Sequence, residues 1–132
     1  MSDSALEVLF AAYWLERFPD IPFEREHTFL KDRKYRFDFA FLESKVAVEM
    51  QGKIWKKGRH NTGTGLLDGY EKYNLAVYNG WVVFQLAQEM LKESDLMSIH
   101  KDILILPPDK DWPEWEHDWL GIIKATIEKR EA

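Results

Sequence analysis

Two carboxylates stand where the residues around them call for an apolar side chain. Asp38 interrupts Tyr35-Arg36-Phe37-Asp38-Phe39-Ala40-Phe41, and Glu49 closes the run Val46-Ala47-Val48-Glu49 ahead of Met50-Gln51. Burying an unpaired carboxylate costs on the order of several kcal/mol, so each needs a cation or a metal nearby. Antiparallel pairing about a tight turn at Glu43-Ser44 sets Asp38 opposite Glu49. Side by side they repel unless a divalent cation lies between them. A plainer arrangement puts one carboxylate in a structural ion pair with Arg36 or Lys45 and the other at a sheet edge. The residues alone leave both open.

The chemistry available to such a pair is narrowed by what the chain lacks. Its 132 residues include no cysteine, which excludes a disulfide scaffold, a thiolate zinc site and a cysteine nucleophile. His27, His100 and His117 have no metal-ligand spacing. A metal is therefore expected to be a hard cation held by oxygen.

The elements that must position the pair follow from periodicity. Leu6, Leu9, Phe10, Tyr13 and Trp14 recur at three- and four-residue spacings, predicting a helix from Ser2 or Ser4 to about Arg17, ended by Pro19 and Pro22. Phe23 to Leu30 alternates as a strand, and Asp32-Arg33-Lys34 turns the chain. Tyr35 to Leu42 reads as a second strand with Tyr35, Phe37, Phe39 and Phe41 on one face; Lys45 to Gln51 reads as a buried third. A polar, glycine-rich stretch spans 52–65. Leu67 to Asn79 reads as a helix with Leu67, Tyr70, Leu75 and Tyr78 inward and Gly80 beyond its end. Trp81 to Leu86 is a short apolar strand. Two further helices are expected, one capped by Ser94 and one from about Pro113 to Lys129. The order is helix, three-strand antiparallel meander, helix, further strand and two C-terminal helices: a single α/β domain over 1–132.

Net charge misleads here. The overall −5 argues against nucleic acid, but 31–60 holds nine cations and four anions, a net of +5, which leaves −10 elsewhere. The split fits either two differently solvated faces or a basic phosphate-facing surface with an acidic back.

Hairpin, Glu-x-Gln at the end of the next strand, then a helix, resembles the PD-(D/E)XK nuclease superfamily, nearest its Holliday-junction-resolvase and VRR-NUC type branch. Arg36-Phe37-Asp38-Phe39-Ala40, Val48-Glu49-Met50-Gln51-Gly52, Glu71-Lys72-Tyr73-Asn74 and Gly80-Trp81-Val82-Val83-Phe84 carry the likeness, over a core of about 4–86 with a helical extension of about 87–132. The resemblance implies a restriction-endonuclease-like core. It also implies that Asp38, Glu49 and the Met50 carbonyl bind Mg²⁺, with Glu7 of the first helix joining them. Gln51 stands where the family usually has lysine; it can hold water and phosphate by hydrogen bonds but supplies no charge. Lys72 either brings that cation from the next helix or pairs on the surface with Asp68.

The implied activity is metal-dependent hydrolysis of DNA by a structure-selective endonuclease, most simply a homodimeric resolvase of four-way junctions from a phage or microbial cytoplasm. No membrane and no small-molecule cofactor are expected. The segment 53–65 directly follows the ligands, and its Lys53, Lys56, Lys57, Arg59 and His60, with Arg36, form the expected DNA contact. Trp55 is expected to pin that loop, and His60 either binds phosphate, assists proton transfer or is plain polar surface. Trp112, Trp115 and Trp119 either cover one face of the sheet or form a dimer surface.

Overall fold

The computed structural model describes residues 2–51, 63–87, 90–91 and 118–132. Within them the order is α1 (Ser2–Arg17), β1 (Glu24–Thr28), β2 (Arg36–Phe41), β3 (Val46–Gln51), α2 (Gly63–Tyr78), β4 (Val82–Ala87) and α3 (Trp119–Glu131). The strands form one sheet in the order β1-β2-β3-β4. The meander β1-β2-β3 is antiparallel, and β4 joins β3 in parallel. A parallel neighbour cannot be reached by a tight turn, so the chain crosses over through α2. The architecture is α/β with a mixed four-stranded sheet and three helices among the described residues. None of those helices is long and apolar enough to cross a membrane.

The apolar stripe of α1 does what its spacing requires. Leu6, Leu9, Phe10, Tyr13 and Trp14 are buried against Phe39, Phe41, Val46, Val48 and Met50 of the sheet. Trp14 lies 4.8 Å from both the Phe41 and Phe18 rings, and its Nε1 donates to the Ile21 carbonyl at 3.0 Å. The same sheet face is closed by Leu120, Ile123 and Ile127 of α3. Trp119 packs inward as well, 6.5 Å from Phe84, so the described part of the tail covers the sheet in its own chain.

This last helix starts later than its apolar pattern suggests. Asp118 is extended and accepts from the Gly121 N–H at 3.2 Å, fixing the N-cap there rather than near Pro113. Its two carboxylate oxygens also take the Arg17 guanidinium at 2.7 Å each. That hydrogen-bonded guanidinium holds the Asp118 carboxyl below its ordinary value. Asp118→Ala is expected to lose about 1 kcal/mol in urea unfolding at pH 7, the usual loss for an N-cap. The difference should shrink as pH falls and the wild-type carboxylate is protonated.

The opposite face carries a smaller cluster of Phe37, Ala40, Ala47, Ala76 and Trp81 beneath α2. Here the expected inward set fails. Leu67 and Tyr78 are 66% and 86% exposed, Tyr70 is exposed too, and Leu75 is half-buried. Lys72, Tyr73 and Ala76 turn toward the sheet instead, because the Lys72 ammonium pairs with Glu49. An apolar pattern cannot foresee a helix rotated by an ion pair. The helix ends as expected: Gly80 adopts φ +86 and the Trp81 N–H returns to the Ala76 carbonyl at 2.9 Å. Gly80→Ala should cost about 1 kcal/mol in the same unfolding assay, since that φ is strained for any residue with a Cβ.

Candidate metal centre

The site is built on a matched break in two strands. Arg25 pairs with Phe39 and His27 with Phe37, so Glu26 lies across from Asp38. Glu26 has φ +54, left-handed for a non-glycine residue. Alternation fails on both strands at this level. In the β1 segment Phe23 packs on the α1 side but Phe29 on the α2 side; in β2, Phe39 and Phe41 face α1 while Phe37 faces α2. Phe37 stacks on Phe29 at 4.3 Å between centroids and lies 5.0 Å from Trp81. The expectation that Tyr35, Phe37, Phe39 and Phe41 share one face is thereby corrected.

Hydrogen bonding gives the reason. The pairs Phe39 with Val48, Ala40 with Ala47 and Phe41 with Val46 run in the register the turn spacing requires, and Asp38 and Glu49 are the next residues of the two strands. At that step side chains replace the ladder. The Asp38 N–H donates to Glu49 Oε2 at 3.2 Å, and the Met50 N–H donates to Asp38 Oδ2 at 2.7 Å. Such local disruptions re-aim side chains, and here two carboxylates are delivered to one corner of the sheet.

α1 brings the next acid. Glu7, only 6% exposed, meets Glu26 and Asp38 with one oxygen from each lying within 4.8 Å of the others. Glu49, also 6% exposed, is held beside them by the Asp38 N–H, the Lys72 ammonium and the Tyr73 hydroxyl at 3.4 Å. Arg25 Nη2 reaches Glu7 Oε1 at 2.8 Å, and Arg36 Nε stands 3.7 Å from Glu26 Oε2. Burial pushes the Asp38 carboxyl up to about 7; the Glu49 and Glu7 charges add to the rise, and the Met50 N–H and Lys72 oppose it. Tyr73 is pushed up by burial first and by Glu49 next, which keeps its hydroxyl a donor.

Glu7, Asp38, Glu49 and Lys72 therefore converge. The ion-pair alternative for the carboxylates takes an unexpected form: Arg36 is on Glu26, Lys45 donates to the Asn79 carbonyl at 3.1 Å, and Lys72 serves Glu49 rather than Asp68. Gln51 Nε2 donates to Gln85 Oε1 of β4 at 3.2 Å. Met50 contributes its N–H to Asp38. Lys53, Trp55, Lys56, Lys57, Arg59 and His60 lie outside the described residues, as do the helix expected after Ser94, Trp112 and Trp115.

Sequence reasoning missed Glu26, Arg25, Tyr73 and Gln85. A signal for Glu26 existed, since pairing centred on Asp32 sets it opposite Asp38. The parallel register that brings Gln85 beside Glu49 has no local signature.

The donor set suits a hard divalent cation. Its atoms are carboxylate oxygens gathered from three elements, and a cation would offset both the burial that chiefly raises Asp38 and the neighbouring carboxylate charges that add to it. No family model, no curated protein and no solved structure matches the chain.

Proposed function

We propose that this chain is a Mg²⁺-dependent, structure-selective DNA endonuclease with a restriction-endonuclease-like core, acting as a homodimeric Holliday-junction resolvase. The observation that carries the reading is the convergence of Glu7, Asp38, Glu49 and Lys72, from four different elements, at one corner of the sheet. Among Glu7, Glu26, Asp38 and Glu49 are the residues that would hold the cation, which supplies Lewis-acid polarisation of a phosphodiester and acidification of a water. The chain's own groups do the rest. Lys72 offers positive charge to a phosphate oxygen, and the Gln51 amide orients the attacking water. Attack on phosphorus breaks the P–O bond to the leaving strand. Arg36 and the basic residues after Gln51 would track the backbone, a contact that reads shape and not sequence.

The test is incubation of labelled four-way junction, flap and plain duplex with Mg²⁺ or EDTA. Symmetric paired nicks in the junction alone support resolution, and cutting of all three points to a general or flap nuclease of the same type. Binding without cutting favours a catalytically silent DNA-binding module, the reading to which the Lys72–Glu49 pair lends some weight. Paired incision needs two sites per assembly. Light scattering should therefore give a dimer, and a concentration-independent species of 15.7 kDa removes that mechanism.

A further inference from the structure

Four carboxylates meet at the corner of the sheet, and three of them have a cation of their own. Glu49 has Lys72, Glu7 has Arg25 and Glu26 has Arg36. Asp38 accepts instead from an amide, the Met50 N–H, at 2.7 Å. We infer that Lys72 and Arg25 are built-in counter-ions which hold the carboxylates together in the metal-free protein and which a divalent cation must displace. This rests on the proposed metal centre and adds a competition inside it.

The surroundings favour displacement over simple structural pairing. The side chains of Lys72 and Glu49 are 18% and 8% exposed, so water weakens their attraction little. Each counter-ion also has an aromatic face within reach. Lys72 Nζ lies 5.8 Å from both the Phe37 and Tyr73 ring centroids, and the Arg25 guanidinium carbon 5.3 Å from that of Phe39. A released cation can stay over these rings at modest cost. It then remains in the site as uncompensated positive charge, available to a phosphate group. The same residues thus oppose metal binding and assist the substrate.

Opposite signs follow for two measurements on one variant. A counter-ion that must be displaced lowers apparent metal affinity, as any unproductive state does. Lys72→Met should bind Mn²⁺ about tenfold more tightly than wild type, while cleaving a four-way junction about a hundredfold more slowly. A lysine that merely braces α2 would weaken both on removal. Mn²⁺ is titrated against the full chain by calorimetry and by the rise in Tm, with junction cleavage measured in parallel. The metal-free Tm of Lys72→Met should fall, because Glu49 is left unpaired, and saturating Mn²⁺ should bring it back to the wild-type value.

Arg25→Gln, altered at a more exposed side chain, carries the same affinity test should Lys72→Met not fold without metal. Folded variants that bind Mn²⁺ no more tightly than wild type overturn the inference, whatever their cleavage rate. A wild-type protein that takes up no Mn²⁺ overturns the metal centre itself. A wild type that binds Mn²⁺ but cuts nothing, beside a tighter-binding Lys72→Met, leaves the counter-ions established and removes the nuclease.

Discussion

Asp38→Asn is expected to reduce junction cleavage by about a hundred- to a thousandfold, the scale on which losing a preorganised polar group in an active site is felt. The substitution is nearly isosteric. Its amide oxygen can still accept the Met50 N–H that now reaches Asp38 Oδ2 at 2.7 Å, so the strand geometry should survive. What disappears is the negative charge between Glu7 and Glu49, and with it most of the attraction for a divalent cation. Glu49→Gln should match it, with the added loss of the Lys72 partner. DNA binding should persist in both variants and tighten slightly, because a negative charge facing the phosphates has been removed. Gel shift in EDTA and timed cleavage in Mg²⁺ separate the two effects. Full cleavage by a folded Asp38→Asn protein would sink the assignment.

What could be foreseen of this site divides by range. The order of elements through β4 follows from periodicity and turn residues, and the β2–β3 register that brings Asp38 to Glu49 follows from the short turn after Phe41. Those are local facts. The rotation of α2 is not, since it is set by an ammonium reaching a carboxylate 23 residues away. Nor is the failure of alternation at Phe37, where a side chain takes the place of a ladder bond. Period-two reasoning assumes an uninterrupted ladder, and this ladder is interrupted at its chemistry-bearing residues. A carboxylate that disturbs an apolar strand in sequence disturbs the strand's geometry as well. Real proteins break local rules where a site requires it. The two positive-φ non-glycine residues make the contrast. Lys45 sits in a tight turn, where such a φ is common, whereas Glu26 lies within a strand, opposite Asp38.

The second large effect concerns stability, and it needs no DNA. With its carboxyl raised from 3.8 to about 7 in the metal-free fold, Asp38 retains a proton that the unfolded chain releases. Between those values the folded state binds more protons, so the Asp38 contribution to stability falls as pH rises. It is fully present below about pH 4 and gone above about pH 7. Because the carboxyl is partly open to water, screening cuts the roughly 1.4 kcal/mol that each unit would bring, and the fall is on the order of 1 kcal/mol. Other acids work in the opposite direction: Asp118, lowered by Arg17, loses its contribution as pH falls. The clean measurement is therefore the difference between wild type and Asp38→Asn, both metal-free, in urea unfolding from pH 4.5 to 8. The variant should be the more stable at pH 8, and its advantage should fade toward pH 4.5. Mg²⁺ or Mn²⁺ should raise the Tm of wild type at pH 8, less so at pH 5.5 where protons compete for the same oxygens, and should act weakly on the variant throughout. Parallel pH profiles for the two proteins, with equal responses to metal, would mean that the carboxylates at this corner are paired off for structure alone.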